Sequence, residues 1–375
     1  MKILLVSNMY PSPEFPSYGV FVANTESILK SEGFHVEKAI MTKKVSKAGK
    51  AAAYAKHYIN VVRKGLFGNY DAIYVHYAAH NAFPLLQLKK VKPSVRIVTN
   101  VHGSDVVPEV ASQEKFQPAV KSLLEKSTII ITPSHYYEKL VKEKYQVDTP
   151  IRIFPSGGVN SEIFYPNEKD RALHLKHFKL NPDLRYFGYV GRLDVGKGWD
   201  HLLRGFALFL KEHPEERKGT RLIMVGSGRD DAAFFQLIAD LELDEFVIHF
   251  PLMKHSDLAI IYNLIDLFIF PTTRKGESLG LVGLEAMACG TPILASRIGG
   301  ILDYVQDGEN SWLTEPGDFK DIARGLAQYD KTSEENKTKI AQAAYQTAQE
   351  YEQKKIQSKL SAVFNELRTF NKKED

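Results

Sequence analysis

The chain has 375 residues, 44% of them hydrophobic and 25% charged, more than one ordinary core holds, so two domains are expected. A single cysteine, Cys289, excludes a disulfide framework, and no apolar run approaches the ~18 residues that span a bilayer, so a cytoplasmic protein is expected. The net charge of +4 divides unevenly: residues 1–165 carry +8 and residues 166–375 carry −4.

In chain order, short β-type runs alternate with helix-length amphipathic segments. Strands are expected at 2–6 (KILLV), 36–41, 72–76, 95–101, 128–132 and 151–154, with a first helix from "VFVANTESILKSEG" closed by Gly33. Residues 155–171, rich in proline and glycine, lose the periodicity and read as a linker. The alternation resumes with strands at 186–190, 221–225, 246–250, 266–270 and 292–296, and the tail from about 318 to 370 is helical. Such alternation means right-handed βαβ units and parallel sheets. The expected fold is α/β, with two Rossmann-like domains facing across a cleft and a helical C-terminal tail.

In parallel sheets ligands bind beyond the carboxyl ends of the strands. The stretch "GESLGLVGLEAMACGTP" (276–292) follows such a strand, and from 279 to 289 its only charge is Glu285. A helix over 280–289 puts Leu281, Leu284, Glu285 and Ala288 on one face, so Glu285 needs either a ligand's hydroxyls or a structural ion pair. The amides near Ser278, Leu279 and Gly280 start that helix and suit an anion. After the 186–190 strand, "GRLDVGKGWD" places Arg192 and Lys197 around a glycine-rich turn, a pair able to hold a diphosphate or to stand as two surface cations. Gly226-Ser227-Gly228 forms another tight turn. In the first half, His102 and Asp105 of "HGSD" lie beyond a strand, and Gly19 stands at the start of a helix, either for close ligand approach or as ordinary turn chemistry. There is no Asp-x-Asp pair, GxGxxG, P-loop or Cys/His cluster, which argues against a metal site, a dehydrogenase and an NTPase.

Taken in order, "HGSD", "GRLDVGKG", "VGSG", "DLFIFPT", Glu277-x7-Glu285 and "GGILDYVQDGENSWL" resemble a retaining glycosyltransferase of the GT-B fold, glycosyltransferase family 4. The resemblance covers most of the chain. It implies an acceptor-side domain over 1–165 and a nucleotide-sugar domain over 166–375, with the last helix packing back on the first. It implies that Glu285 binds the donor ribose, Glu277 the donor sugar, and the amides of Ser278, Leu279, Gly280 and Leu281 the sugar and distal phosphate. Arg192 and Lys197 would take the diphosphate, His102 a sugar hydroxyl near the reacting centre, with Gly19, Gly191, Gly226 and Leu252 also lining the donor. Glu277, Arg192, Lys197 and His102 are then the catalytic candidates. No cofactor and no metal is implied, and a UDP-sugar is the expected donor.

Two places depart from the family: Tyr18-Gly19 stands where paired glycines are common, and "HFPLMKH" (249–255) where a glycine often follows the strand. Expected partners are a glycan or lipid-linked acceptor and an anionic membrane surface, with no nucleic acid, at the inner face of the cell membrane. The acid-free interval between Glu37 and Asp71 holds Lys38, Lys43, Lys44, Lys47, Lys50, Lys56, Arg63 and Lys64. Within it, Tyr54, Tyr58, Val61, Val62 and Leu66 form the apolar side of a helix read as interfacial. Surface polysaccharide, teichoic acid or glycolipid synthesis follows as the expected role. The alternatives are a nucleotide-sugar epimerase of similar fold and a transferase for a soluble or protein acceptor.

Overall fold

A computed structural model of the protein describes residues 1–369 apart from Ser17 and Glu168. The chain forms two compact units, one of Met1–Gly157 with the chain from Lys354 onward, the other of Gly158–Gln353. Residues 158–165 thus belong to the second unit and the last helix to the first.

The first unit runs β1 (Lys2–Ser7), α1 (Val20–Ser31), β2 (His35–Ile40), α2 (Lys47–Phe67), β3 (Ala72–His76), α3 (Ala78–Val91), β4 (Ile97–Asn100), α4 (Ala111–Glu114), α5 (Gln117–Glu125), β5 (Ile129–Thr132), α6 (His135–Tyr145) and β6 (Ile151–Ile153). Its strands pair in parallel in the order β2-β1-β3-β4-β5-β6. Because strand side chains alternate, each strand feeds two cores. Leu4, Val6, Ile73 and Val75 meet α2, α3 and α5 on one face, while Ile3, Leu5, Tyr74 and Val98 meet α1 on the other.

The second unit runs α7 (Arg171–His177), β7 (Arg185–Val190), α8 (Trp199–Glu212), β8 (Thr220–Val225), α9 (Asp231–Asp240), β9 (Val247–Phe250), α10 (His255–Leu264), β10 (Leu267–Phe270), α11 (Leu281–Ala288), β11 (Ile293–Ser296), β12 (Ser311–Thr314), α12 (Phe319–Lys331) and α13 (Glu334–Glu350). Its parallel order is β12-β11-β10-β7-β8-β9. Leu267 and Ile269 face one core, Phe268 and Phe270 the other. α14 (Gln353–Thr369) closes the first unit, burying Ile356, Leu360, Val363, Phe364 and Leu367 beside α1 at helical spacing.

The tail expected as one helical stretch is three helices, broken at Thr332–Ser333 and Tyr351–Glu352. The helix read as interfacial is α2, but its apolar side faces inward: Val61 is fully buried and Leu66 packs on the same core. That sheet face needs an apolar cover, and α2 supplies it, so the solvent side of α2 is instead Ala52, Lys56, Ile59, Arg63 and Phe67.

Candidate active site

Each sheet reverses its strand order at one place, between β1 and β3 in the first unit and between β7 and β10 in the second. Those switch points open crevices beyond the strand ends. In the second unit the loops concerned are 191–198 and 271–280. Gly198 caps α8 in the left-handed conformation, φ 75°, and a Cβ there would lie 1.8 Å from the Pro271 carbonyl oxygen. Only glycine lets the two loops touch.

A cavity of about 280 Å³ lies at this switch point, and Gly191, Arg192, Lys197, Gly226, Leu252, Glu277, Gly280 and Leu281 line it. Eight of the residues singled out in the sequence therefore come together. Ser278 sits half-buried beside them, and Leu279 turns its side chain into the core, leaving only its backbone for a ligand. Gly280 caps α11, again left-handed, and Tyr304 holds it by donating to its carbonyl at 3.0 Å.

The charged groups are arranged in pairs. Lys197 Nζ is 2.9 Å from Glu277 Oε2, with both side chains mostly covered, and the Thr272 hydroxyl donates to the same carboxylate oxygen at 3.3 Å. Arg192 Nη1 contacts Asp194 Oδ2 at 2.5 Å. Asp194 is nearly buried and also accepts from the Arg229 backbone N–H at 3.0 Å and Nε at 3.4 Å. The Arg229 amide, then the two guanidiniums, hold its carboxyl below the usual range despite burial. Asp194 thus fixes one lining cation and ties the loop after β8 to the loop after β7. Its loop position in the sequence marks it only as a turn acid; the cue is a second arginine 35 residues on.

Glu285 lies on the half-buried side of α11. Among the described residues no cation pairs with it; its partner is the Tyr262 hydroxyl, which donates to Oε2 at 3.3 Å. Burial pushes its carboxyl up to about 7, the Tyr262 bond working in the opposite direction. The structural ion pair left open by the sequence is therefore not what Glu285 makes.

A larger depression, about 570 Å³, opens at the opposite end of the same strands, beside Asp266 and Pro292. Its charges are matched internally, Arg171 with Asp266 at 3.8 Å and Lys337 with Glu334 at 2.7 Å, and it lies at the wrong ends of the strands.

In the first unit His102 lies just past β4, its ring 4.6 Å from that of Phe21 and bonded to His76. Asp105 is wholly buried and accepts from the backbone N–H groups of Ala78, His102 and Gly103, fixing the loop rather than the imidazole. Gly19 caps α1 with φ 78°, and the atoms crowding it are the backbone of Met9 and Tyr10. Among the described residues no group of three or more His, Cys, Asp or Glu is placed to hold a metal ion.

Two parallel six-stranded α/β units, one carrying cations and helix-start amides around a switch-point cavity, define the GT-B class of fold. Residues 18–159 match the family "Glycosyltransferase Family 4" and residues 170–347 match "Glycosyl transferases group 1". The chain belongs to these group 1, family 4 glycosyltransferases, retaining enzymes of the GT-B fold. It is similar to N-acetyl-alpha-D-glucosaminyl L-malate synthase of Bacillus anthracis, 24% identical over 80% of this chain and 75% of that one. It is 30% identical to D-inositol 3-phosphate glycosyltransferase of Thermobispora bispora, over 70% of this chain but only 62% of that one. Its fold matches Anabaena HepE, solved in complex with UDP-glucose, with a TM-score of 0.74, 19% identity, and 98% and 100% of the two chains covered.

Proposed function

We propose that this enzyme moves a hexosyl group from a UDP-sugar to an acceptor hydroxyl with retention of configuration and without a metal ion. The observation that carries this reading is the meeting of Arg192, Lys197, Glu277 and the start of α11 around one cavity. In it Arg192 and Lys197 hold the diphosphate, the amides from Ser278 to Leu281 touch the sugar and distal phosphate, and Glu277 binds sugar hydroxyls. Glu285, without a cation, takes the ribose hydroxyls. Leu252, Gly191 and Gly226 lie along the nucleoside, while Gly19 and His102 belong to the acceptor-side unit. The Lys197–Glu277 pair fits these two roles, because as the diphosphate binds Lys197 the Glu277 carboxylate is released to accept from hydroxyls.

The anomeric bond loosens toward an oxocarbenium-like state. Charge accumulates on the departing diphosphate, which the two cations stabilise and which can take the acceptor's proton, so no protein nucleophile is required. Anabaena HepE, whose fold this chain shares, was solved with UDP-glucose bound, which supports uracil as the base.

The acceptor-side unit is the basic one, and its surface supports an anionic, membrane-linked acceptor in surface polysaccharide, teichoic acid or glycolipid assembly. A groove of about 560 Å³ has Phe83 and Leu86 beside Lys89, Lys90 and Lys126. Burial, then the neighbouring Lys126 ammonium, holds Lys89 below the usual lysine range. Exposed Ile59 and Phe67 alternate with Lys56 and Arg63 along α2. Each basic group near an anionic bilayer is worth about 1 kcal/mol and is screened by salt. Among the described residues no helix is long and apolar enough to cross a membrane. A second reading, a soluble anionic acceptor in the cytoplasm, is favoured by the relative named for L-malate.

Incubation with a panel of nucleoside-diphosphate sugars, with and without candidate acceptors, tests the reaction. Acceptor-dependent release of UDP supports transfer. A changed donor without acceptor supports an epimerase, and binding without turnover supports a sugar-nucleotide binder. Sedimentation with anionic and neutral vesicles at low and high salt tests the surface, and binding to neither leaves the soluble acceptor.

A further inference from the structure

Behind His102 lies a buried line of hydrogen-bonding groups whose proton positions follow from one end. Thr25, on α1 and 3% exposed, has Oγ1 2.9 Å from the Val22 carbonyl oxygen. A carbonyl carries no proton, so the single hydroxyl hydrogen of Thr25 lies on that contact. Thr25 Oγ1 is also 3.0 Å from His76 Nε2, and the hydrogen between them must belong to His76. The neighbouring Tyr74 phenol accepts from Asn100 Nδ2 at 2.7 Å.

His76 therefore carries its proton on Nε2 and offers a lone pair at Nδ1. That Nδ1 is 2.9 Å from His102 Nε2, so His102 donates. The rings are 17° from parallel with centroids 5.0 Å apart, which fits an in-plane N–H···N bond. Both histidines are neutral: burial holds His76 well below its usual range and takes His102 down to about 3. The proton of His102 is thus on Nε2, and its Nδ1, which no described protein group bonds, is an acceptor.

We propose that Thr25 and His76 are positioning residues that lock His102 in its Nε2–H tautomer, so that its Nδ1 accepts from a hydroxyl of the sugar substrate and turns away groups with no proton to give. The line of donors stands on the geometry of this unit; only the owner of the hydroxyl rests on the proposed glycosyl transfer. An uncharged acceptor selects for a hydroxyl without attracting cations, and a fluorine in the same place leaves it unpaired.

Long-range proton–nitrogen NMR of the full chain with labelled histidine tests this, with His102→Gln assigning the signal. His102 should show a protonated Nε2 and an unprotonated Nδ1, with no substrate present. Thr25→Val removes the acceptor for His76 and should shift His102 toward the opposite tautomer, while Thr25→Ser restores the original. With a donor the enzyme turns over, replacing in turn each sugar hydroxyl by fluorine should lower kcat/KM by about tenfold to a hundredfold at one position. That discrimination should shrink in Thr25→Val and return in Thr25→Ser. A wild-type His102 protonated on Nδ1 overturns the proposal, as does a Thr25→Val enzyme with unchanged tautomer. Should no sugar donor be used at all, the transfer reading fails while the tautomer result still stands or falls by the spectrum.

Discussion

Replacing Glu285 by glutamine should separate the stability of the second unit from its affinity for nucleotide, and pH should show which is which. The carboxyl moves from an ordinary 4.5 to about 7 through burial. At about 1.4 kcal/mol for each factor of ten, ionising it in the folded state costs about 3 kcal/mol. Below pH 4.5 the group is protonated in both states and nothing is lost. Between 4.5 and 7 the folded state binds the extra proton, so stability falls as pH rises, and above 7 the full cost is present. Glutamine stays neutral, so at pH 8 Glu285→Gln should raise the unfolding free energy of this unit by about 2 kcal/mol, allowing about 1 kcal/mol for a poorer Tyr262 contact. At pH 4.5 the gain is gone, only the poorer contact remains, and the variant should be the less stable by about 1 kcal/mol. Nucleotide binding should go the other way, because hydroxyls donate best to the ionised form: wild-type affinity rises through pH 7, and glutamine loses about tenfold to a hundredfold at pH 8 with no pH trend. Urea unfolding and calorimetric titration with UDP at the two pH values read both quantities. Equal nucleotide affinity in the two proteins, or equal destabilisation of the variant at both pH values, would refute the reasoning.

Lys197→Ala should lower kcat about a hundredfold at saturating donor, since its ammonium stabilises charge on the leaving group; normal turnover would remove Lys197 from the mechanism. Asp194→Asn should free Arg192 and Arg229 together and reduce kcat/KM by about tenfold, and the loss should not add to that of Arg192→Ala in a double-mutant cycle. Gly198→Ala drives a methyl into the Pro271 carbonyl and should destabilise the second unit by about 2 kcal/mol or more in urea, with donor affinity falling as the loops part. Incubation with EDTA should leave turnover intact; a loss restored by a divalent ion would overturn the metal-independent reading.

The strands that line the two switch points were legible because buried parallel strands are continuous apolar runs: "KILLV" and "DLFIF" could be nothing else of that length. β12 was not, because "SWLT" is four residues long at a sheet edge and carries two hydroxyls. Arg192, Lys197 and Glu277 stood out as charges in glycine-rich turns. Asp194, Tyr262 and Thr272 did not, since their importance lies in partners from distant parts of the chain. His76 had a cue that went unused, a histidine at the end of β3 in register with Asn100, two residues before His102. The inward face of α2 misled for a related reason. Its aromatic and β-branched side reads equally well as a membrane face or a core face until the sheet beneath it is known.

The path of the chain has a consequence for how the protein is made. The first unit is written in two pieces, and its closing piece, α14, follows the whole second unit in the chain. When residue 353 has been translated, the second unit is complete as an inserted module, while the side of the first sheet meant for Ile356, Leu360 and Phe364 is still open to water. A stop codon anywhere before α14 therefore damages the beginning of the protein rather than its end. The first unit expressed alone would need α14 joined back on, through a short connection from Gly157 to Lys354.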